Sequence, residues 1–517
     1  MTFAAGTRNL FCVIAAVVSA LLLWAAFPPN SEAFSVLVAL VPVMVVSRVC
    51  APRVSALSFF LSGLCYWVLA LSWMPSIIKN NGPWPLVFLG WFALAAYCAL
   101  YFAAYGWLSS CLWHARWGKV RLPAIACIFG EAALWALLEY LRAVLFSGFA
   151  WNFLGTAFAS MPSFATPARF GGVCLVSALA VLLNGVFATL LIRIFAPVAG
   201  WNVASGMARA GFALRLAQMG ETALPLLFIL ACLVLGGRIV RKEASELKSM
   251  PDHLRVALVQ RNAACCFKPG PKENAYEAFG RLLDSVAAVK PDVVVLAESA
   301  MVEFGSVRSF RAQDVVRGFF ERSGARYLIA GGDDIVSNRT YNAAALYANE
   351  GASGIRLVDV YRKQHLVPFG EYIPLDKTFP SLQKLSPIGV SLYPGEPKLF
   401  TVTTSSGAEV KIAPLICFED TDPRLSSRAK AMGADMIVLL TNDSWFSESS
   451  EAQAHASQAV LRAMETGLAV VRVGNSGVTG VIRPDGYANW LSDASGRLIV
   501  DGRGVMVETV QVRTKKQ

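Results

Sequence analysis

Three residues with complementary chemistry end short apolar runs in the second half of the 517-residue chain. Glu298 ends VVVLAE, Lys363 ends VDVYRK and Cys417 ends APLIC. A protonated thiol is a poor nucleophile, but a neighbouring carboxylate can take its proton, and a cation stabilises both the thiolate and an oxyanion. The three residue types together predict attack of a cysteine on a carbonyl carbon.

Each of these residues also has a simpler interpretation. A glutamate or lysine at the end of a strand is commonly solvated, and a cysteine there is commonly a small core residue. A second chemical scheme is open as well, because His365 lies two residues beyond Lys363 and could replace Glu298 as the base.

The segments around these residues alternate between short β-branched runs and amphipathic stretches. Strands are predicted at 255–260, 292–298, 327–331, 355–363, 411–417, 436–442 and 468–474, and helices at 273–289, 311–323, 421–432 and 451–467. This alternation predicts a layered α/β fold, in which reactive groups collect beyond the carboxyl ends of strands. The absence of Walker and GxGxxG patterns gives no indication of a nucleotide.

Composition separates the two halves of the chain. Hydrophobic residues make up 55% and charged residues 16%, which excludes a wholly soluble, disordered or fibrous protein. The net charge of +11 divides into +8 for residues 1–237, from 12 basic and 4 acidic residues, and +3 for the rest. Because most of the excess lies among apolar segments, it indicates membrane topology, and no nucleic-acid partner is expected.

Seven apolar stretches are about long enough to cross a bilayer. They lie near residues 9–27, 33–49, 54–74, 84–108, 122–146, 170–192 and 223–237. The first could also be a signal peptide, but it lacks a clear cleavage site and six more stretches follow, which favours a retained helix. We therefore expect a membrane domain over residues 1–240 and a second domain over residues 250–510.

Basic residues in the short loops predict the orientation of these helices, since such residues are retained in the cytoplasm. With the N-terminus inside, nine lie in inner segments and only Lys79 and Arg169 in short outer loops. Seven crossings then place the second domain on the outer face, which in a bacterial inner membrane is the periplasmic side.

Three charged residues lie in the fifth apolar stretch and should face protein, water or a headgroup. They are Glu131, Glu139 and Arg142. Glu139 and Arg142 are three residues apart and either neutralise one another or bind lipid or substrate. Trp151, in the following loop SGFAWNFLG, either anchors the chain at the membrane interface or contacts substrate.

The eleven cysteines divide into eight in the membrane half and three beyond it. Neither CxxC nor Cys/His spacing occurs, so no metal and no other cofactor is expected. A bond between the neighbouring Cys265 and Cys266 would be strained, which leaves Cys417 as a candidate free thiol.

Six motifs in order give the chain a resemblance to the nitrilase superfamily, and within it to the apolipoprotein N-acyltransferase family. The motifs are VALVQRN (256–262), LAESAM (296–301), YRKQHLVPFGEYIP (361–374), LICFED (415–420), LTNDSWF (440–446) and GNSGVTGVI (474–482). The resemblance extends to ALWALLEYLR (133–142) and SGFAWNFLG in the membrane half. It implies a multispanning α-helical membrane domain followed by an α-β-β-α sandwich.

The same resemblance implies a role for each matching residue. Glu298 matches the general base, Lys363 the residue that stabilises the oxyanion, and Cys417 the nucleophile. Glu371 and Glu419 match two supporting carboxylates, for which a purely structural ion pair is the alternative. Phe418, Trp445, Glu139 and Trp151 are candidate substrate-binding residues.

Three positions depart from the family pattern. Phe267-Lys268-Pro269 stands where the family commonly has a tryptophan after a lysine, so an aromatic contact is absent or supplied by Phe267. Phe418 follows the nucleophile where a tyrosine is frequent. The polar segment GVMVETVQVRTKKQ (504–517) stands where many members have a further membrane helix.

The implied activity is acyl transfer in two steps. An acyl chain passes from a phospholipid, such as phosphatidylethanolamine, to the cysteine thiol and then to the α-amino group of a diacylglyceryl apolipoprotein. The chain is expected to act as a monomer. Two other functions stay open: a membrane-tethered hydrolase of small amides, and a lipoprotein-binding scaffold without enzymatic activity.

Overall fold

The computed structural model describes residues 5–80, 82–117, 123–195, 212–264, 273–376, 378–385, 391–446 and 449–512. The chain divides into two compact units. We call the first, Met1–Pro75 with Pro83–Ile239, the helical unit, and the second, Ser76–Gly82 with Val240–Gln517, the sandwich unit.

The first half of the chain is almost entirely helical where it is described. Its helices are α1 (Ala5–Ala26), α2 (Val41–Val49), α3 (Pro52–Ala70), α4 (Trp84–Trp117), α5 (Ala124–Val144), α6 (Pro162–Ala165), α7 (Ala168–Phe195) and α8 (Phe212–Lys248). Six of them have the length and hydropathy to span a membrane. The remaining predicted stretch, 33–49, forms a 3-10 turn (Ala33–Leu37) and the nine-residue α2.

Buried polar groups hold this short stretch inside the helical unit. The Asn184 side chain of α7 accepts a hydrogen bond from the Leu40 N–H at 2.8 Å and donates to the Val36 carbonyl at 2.9 Å. Arg48, at the end of α2, donates to Glu131 of α5 at 2.7 Å and lies over the Trp113 ring. Glu131 thus faces protein, where its charge is paired.

The sandwich unit contains two six-stranded sheets. One has the order β12-β1-β2-β3-β4-β5 and the other β11-β10-β9-β8-β7-β6. The strands are β1 (His253–Gln260), β2 (Val293–Leu296), β3 (Tyr327–Val336), β4 (Arg339–Asn349), β5 (Ile355–Arg362), β6 (Phe400–Thr403), β7 (Glu409–Ile416), β8 (Met436–Thr441), β9 (Ala469–Gly474), β10 (Gly480–Ile482), β11 (Ala488–Trp490) and β12 (Gly504–Gln511). In each sheet three neighbouring strands, β1-β2-β3 and β7-β8-β9, run parallel.

Helices cover both outer faces of these sheets. They are α9 (Ala275–Asp284), α10 (Phe310–Ser323), α11 (Pro423–Ala431) and α12 (Glu451–Thr466). The buried core between the sheets includes Val256 and Val295 from one sheet and Val438 and Val471 from the other. A second core joins α9 and α10 to the first sheet, and α12 packs on β9. The predicted α-β-β-α sandwich is confirmed.

Candidate active site

Cys417 lies at the junction of β7 and a 3-10 turn (Cys417–Thr421) at the carboxyl end of its strand. Its φ angle is +51°, which side-chain-bearing residues rarely adopt. The side chain is only partly buried and packs at the edge of the core between the sheets. The sharp turn therefore places Cys417 at the rim of the core, just beyond the end of its strand.

Glu419 holds this turn in place from within. Its carboxylate accepts hydrogen bonds from the backbone N–H of Ile416 at 2.7 Å and of Gln364 at 2.7 Å. The Tyr361 hydroxyl lies 2.9 and 2.8 Å from its two oxygens. Burial raises the pKa of Glu419 to about 7, although Lys363 opposes the rise. Glu419 thereby joins the nucleophile turn to the chain beyond β5.

Glu298 lies just beyond the carboxyl end of β2, a parallel strand of the sheet that does not contain Cys417. Its side chain is buried. The Asn342 amide donates to its Oε1 at 2.7 Å. Burial raises the pKa of Glu298, and the positive charge of Lys363 partly offsets that rise. A carboxylate with a raised pKa binds a proton more strongly than an ordinary glutamate, as a general base must.

Lys363 directly follows β5 and its ammonium is only 1% exposed. Its Nζ lies 2.9 Å from Glu371 Oε1 and 3.7 Å from Glu298 Oε1. Burial alone lowers the pKa of Lys363, but the two carboxylates outweigh it and raise the pKa above that of an ordinary lysine. The side chain is therefore a permanent cation in a water-poor site.

Glu371 is fixed by its own contacts. The Asn342 amide nitrogen donates to its Oε1 at 2.7 Å, and the Val367 N–H donates to its Oε2 at 2.8 Å. One amide nitrogen thus lies within hydrogen-bonding distance of both Glu298 and Glu371. Asn342 and Lys363 together keep the two negative charges in one site.

The thiol interacts electrostatically with this group. Burial raises the pKa of Cys417 well above its ordinary value, Glu298 adds to the rise, and Lys363 opposes it. The resting sulfur is therefore protonated, with a basic carboxylate and a cation close enough to act on it. The structure brings together all three residues whose spacing suggested the chemistry.

His365 has a different environment. Its Nδ1 lies 3.8 Å from Asp422 Oδ2, and its ring centroid lies 5.7 Å from that of Phe418. Burial lowers the pKa of His365, and Asp422 opposes that change. Glu298 interacts electrostatically with the Cys417 thiol, and no such interaction is found for His365 within the described residues, which favours Glu298 as the base.

Two candidate substrate-binding residues lie in the sandwich unit. Phe418 follows Cys417 and is partly exposed. Trp445 belongs to a 3-10 turn (Asp443–Phe446) and is also partly exposed. The Asn80 side chain, from the segment Ser76–Gly82, donates to the carbonyls of Ser444 at 3.2 Å and Trp445 at 2.9 Å.

The other two candidates lie in the helical unit, where they shape a loop. Glu139 accepts a hydrogen bond from the Leu154 N–H at 2.7 Å. Arg142 donates to the carbonyls of Phe149 and Trp151 at 2.8 and 2.7 Å. No ion pair within 4.0 Å joins Glu139 to Arg142 in the described coordinates, so both charges serve mainly to bind loop backbone.

Trp151 is buried in this loop, with only 2% of its surface exposed. Its ring packs 5.5 Å from that of Trp73 and stacks on Phe149 at 6.5 Å. Glu139 and Arg142 also line a small cavity whose walls include the rings of Tyr66 and Trp135. In this unit Trp151 is therefore an interior packing residue.

Several contributors to the site carry no clear signal in the sequence. Asn342 lies in the alanine-rich segment YNAAALYAN, which does not resemble a strand. His455, Asp420 and Asp443 form a buried charged group beside Cys417. No local sequence pattern could have predicted this group, because its three members lie on three different elements.

Donor atoms of Cys417, Asp443 and His455 lie within 4.8 Å of one another. Both ring nitrogens of His455 already face carboxylates, at 3.0 Å from Asp443 and 2.9 Å from Asp420. His455 and Asp443 are thus engaged in ion pairs and are not oriented to hold a cation together with Cys417. Cys265, Cys266, Phe267 and Lys268 lie outside the described residues.

Comparisons with known proteins agree with this architecture. Residues 255–501 match the family model of carbon-nitrogen hydrolases, and residues 19–186 match that of the apolipoprotein N-acyltransferase N-terminal domain. A solved structure of a double mutant of the amidase from Nesterenkonia sp. AN1 in complex with acrylamide is 16% identical, with a TM-score of 0.37. It covers 50% of this chain and 90% of its own.

The fold and site define a carbon-nitrogen hydrolase domain that follows a helical membrane domain. The apolipoprotein N-acyltransferase of Geobacter metallireducens is 29% identical over 94% of this chain and 88% of its own. The apolipoprotein N-acyltransferase of Sinorhizobium medicae is 27% identical, and the match covers 82% of this chain and 73% of the relative. Over most of its length the chain is therefore similar to apolipoprotein N-acyltransferases.

Proposed function

We propose that this chain is a membrane acyltransferase that N-acylates lipoproteins through a thioester on Cys417. The observation that carries the proposal is the convergence of the Cys417 thiol, the buried carboxylate of Glu298 and the buried ammonium of Lys363. Relatives named apolipoprotein N-acyltransferase and six apolar helices support the choice of lipoprotein and lipid as substrates.

In the first half-reaction Glu298 removes the thiol proton and the sulfur of Cys417 attacks the carbonyl carbon of a phospholipid acyl ester. The ammonium of Lys363 stabilises the tetrahedral oxyanion. When the oxyanion collapses, the carbon–oxygen ester bond breaks, and Glu298 returns its proton to the leaving alkoxide. A lysophospholipid departs and a thioester remains on Cys417.

In the second half-reaction the α-amino group of a diacylglyceryl-cysteine attacks the thioester. Glu298 accepts the proton that the nitrogen loses, and Lys363 again stabilises the oxyanion. Collapse breaks the carbon–sulfur bond, the thiolate takes up the proton, and an N-acylated lipoprotein leaves. No redox step and no cofactor enters this scheme.

The donor is a bilayer lipid such as phosphatidylethanolamine. A free phospholipid leaves the bilayer only at high cost, since each CH₂ exposed to water costs roughly 0.8 kcal/mol. An enzyme anchored in the same membrane avoids that cost. We expect the chain to act as a monomer, because one copy supplies every group in the scheme.

The proposed location is a bacterial inner membrane, with residues 250–510 on the periplasmic side. This side requires seven crossings, so the proposal counts the short apolar stretch 33–49 as a crossing in addition to the six long helices. The basic loops support it, and so does the pairing of Arg48 with Glu131: the end of α2 and the first half of α5 then both lie near the cytoplasmic face. A C-terminal epitope tag should be accessible to antibody on intact spheroplasts. Access only after lysis would contradict this orientation.

A transfer assay in phospholipid vesicles tests the function. Purified protein, phosphatidylethanolamine with a labelled acyl chain and a synthetic diacylglyceryl-cysteine peptide should give labelled peptide, and Cys417→Ser should give none. Release of free labelled fatty acid with no labelled peptide would favour a hydrolase. Complementation of a depletion strain by Cys417→Ala would favour a scaffold without enzymatic activity.

A further inference from the structure

A buried charged group lies next to the proposed nucleophile and has no part in the scheme above. His455, on α12, is only 2% exposed. Its Nδ1 lies 3.0 Å from Asp443 Oδ1 and its Nε2 lies 2.9 Å from Asp420 Oδ1. Because both ring nitrogens face carboxylate oxygens, both must donate, and the ring is an imidazolium.

Arg472, on β9, completes the group from the other side. Its Nη1 lies 3.2 Å from Asp420 Oδ2 and its Nη2 lies 3.0 Å from Asp443 Oδ2. Each aspartate is therefore held between two cations. Asp420 belongs to the same 3-10 turn as Cys417, so the network fixes the nucleophile turn to β9 and α12.

The sulfur of Cys417 lies within 4.8 Å of donor atoms of both Asp443 and His455. At that range a unit charge acts strongly on a thiolate in a poorly hydrated site. The net charge of the network, and not only its shape, therefore bears on the nucleophile.

The network is neutral as a whole. Burial alone lowers the pKa of His455, but Asp420 and Asp443 raise it to about 10. Burial opposes ionisation of Asp443, yet His455 and Arg472 bring its pKa below the ordinary value. Glu451 lies 3.6 Å from His455, and burial raises its pKa well above the ordinary value, which favours its neutral form. Two anions thus face two cations.

The geometry points to His455 as a positioning residue for Cys417, one that also balances the aspartate charges beside the sulfur. This role rests on the proposed function, in which the thiolate of Cys417 is the nucleophile. Loss of the imidazolium would leave one uncompensated anion near the sulfur and disfavour the thiolate. Loss of one aspartate charge would leave one uncompensated cation and favour it.

Two substitutions of similar shape test the sign of this effect. The measurement is the rate at which iodoacetamide alkylates Cys417 in the full-length protein, followed by mass spectrometry of its peptide across a pH series. At a fixed pH below the thiol pKa, His455→Gln should lower the rate at least about tenfold, which corresponds to one pKa unit. Asp420→Asn should raise it. His253→Gln, at an exposed histidine of the same unit, should leave it unchanged.

A purely structural role would move both rates in the same direction, or neither, and either result would overturn the inference. If His455→Gln does not fold, Asp420→Asn alone tests the inference. An alkylation rate in Asp420→Asn equal to or below that of the unsubstituted protein would contradict the proposed charge balance. Alkylation needs no acyl donor. If the unsubstituted protein showed no acyl transfer, the alkylation test would still be valid. If it transferred acyl chains normally but the substitutions left the alkylation rate unchanged, only the role of His455 would be overturned.

Discussion

The Lys363 ammonium lies 2.9 Å from Glu371 and is almost fully buried. The pair has a clear consequence for the base in the site. Glu371 takes up much of the positive charge of Lys363, and its own charge raises the pKa of Glu298. A supporting carboxylate thus keeps the general base strong while a cation stands beside it.

Substitution of Glu371 should weaken that base. Glu371→Gln removes one negative charge and leaves Lys363 with Glu298 as its main counterion, so the pKa of Glu298 falls. The base form of a carboxylate is lost as pH falls through its pKa. We therefore expect the acid limb of the pH–rate profile to move to lower pH. The rate at the optimum should fall by about 10²-fold or more.

The matched control is Glu350→Gln, which removes a surface carboxylate paired with Arg356. Its profile should coincide with that of the unsubstituted enzyme. An acid limb that stays in place or moves to higher pH in Glu371→Gln would contradict the proposed link between Glu371 and the base.

Lys363 should contribute to the rate through the oxyanion. Lys363→Met keeps the length of the side chain and removes its charge, and loss of one oxyanion stabiliser typically costs about 10²–10³-fold in kcat. Single-turnover formation of the acyl-enzyme measures this step directly. Lys398→Met, which breaks a surface pair with Asp359, should retain full activity. Equal rates for the two variants would exclude Lys363 from the reaction.

Glu419 should matter for stability as well as for activity. Glu419→Ala leaves the Ile416 and Gln364 N–H groups and the Tyr361 hydroxyl without their acceptor. Each unsatisfied buried donor costs about 1–3 kcal/mol. We expect a lower thermal midpoint for the sandwich unit and slower acyl-enzyme formation. Glu409→Ala, at an exposed position of β7, should change neither, and an unchanged midpoint in Glu419→Ala would contradict the anchoring role.

Arg142 should stabilise the loop that contains Trp151. Arg142→Leu removes two hydrogen bonds to backbone carbonyls and a cation–π contact with Trp67, 4.9 Å from the ring centroid. Thermal unfolding in detergent should occur at a lower temperature than for Arg238→Leu, at an exposed arginine of α8. Similar midpoints for the two variants would show that the loop does not depend on Arg142.

Much of the sandwich could be predicted from the sequence because its parallel strands are buried on both faces. Runs such as VVVL and MIVLLT are too short for helices and too β-branched for loops. The strand β4 was missed, since its centre, NAAAL, is rich in a residue that favours helices. Its place between β3 and β5 comes from pairing with neighbours, which local propensity does not encode.

The placement of Glu298, Lys363 and Cys417 at strand ends could be predicted for a related reason. Parallel strands end at one edge of their sheet, so a polar residue that ends each of several strands marks that edge. Asn342 and His455 could not be recognised this way. Asn342 lies within a strand and His455 within a helix, and only the folded arrangement brings them to Glu298 and Cys417.

The central claim is a covalent acyl-enzyme on Cys417, and intact mass spectrometry tests it most directly. After incubation with phosphatidylethanolamine vesicles and no acceptor, the protein should gain the mass of one acyl chain. The adduct should map to the Cys417 peptide, be removed by neutral hydroxylamine, and be absent from Cys417→Ser. An unchanged mass in a preparation that still transfers acyl chains, or an adduct on another residue, would contradict the account.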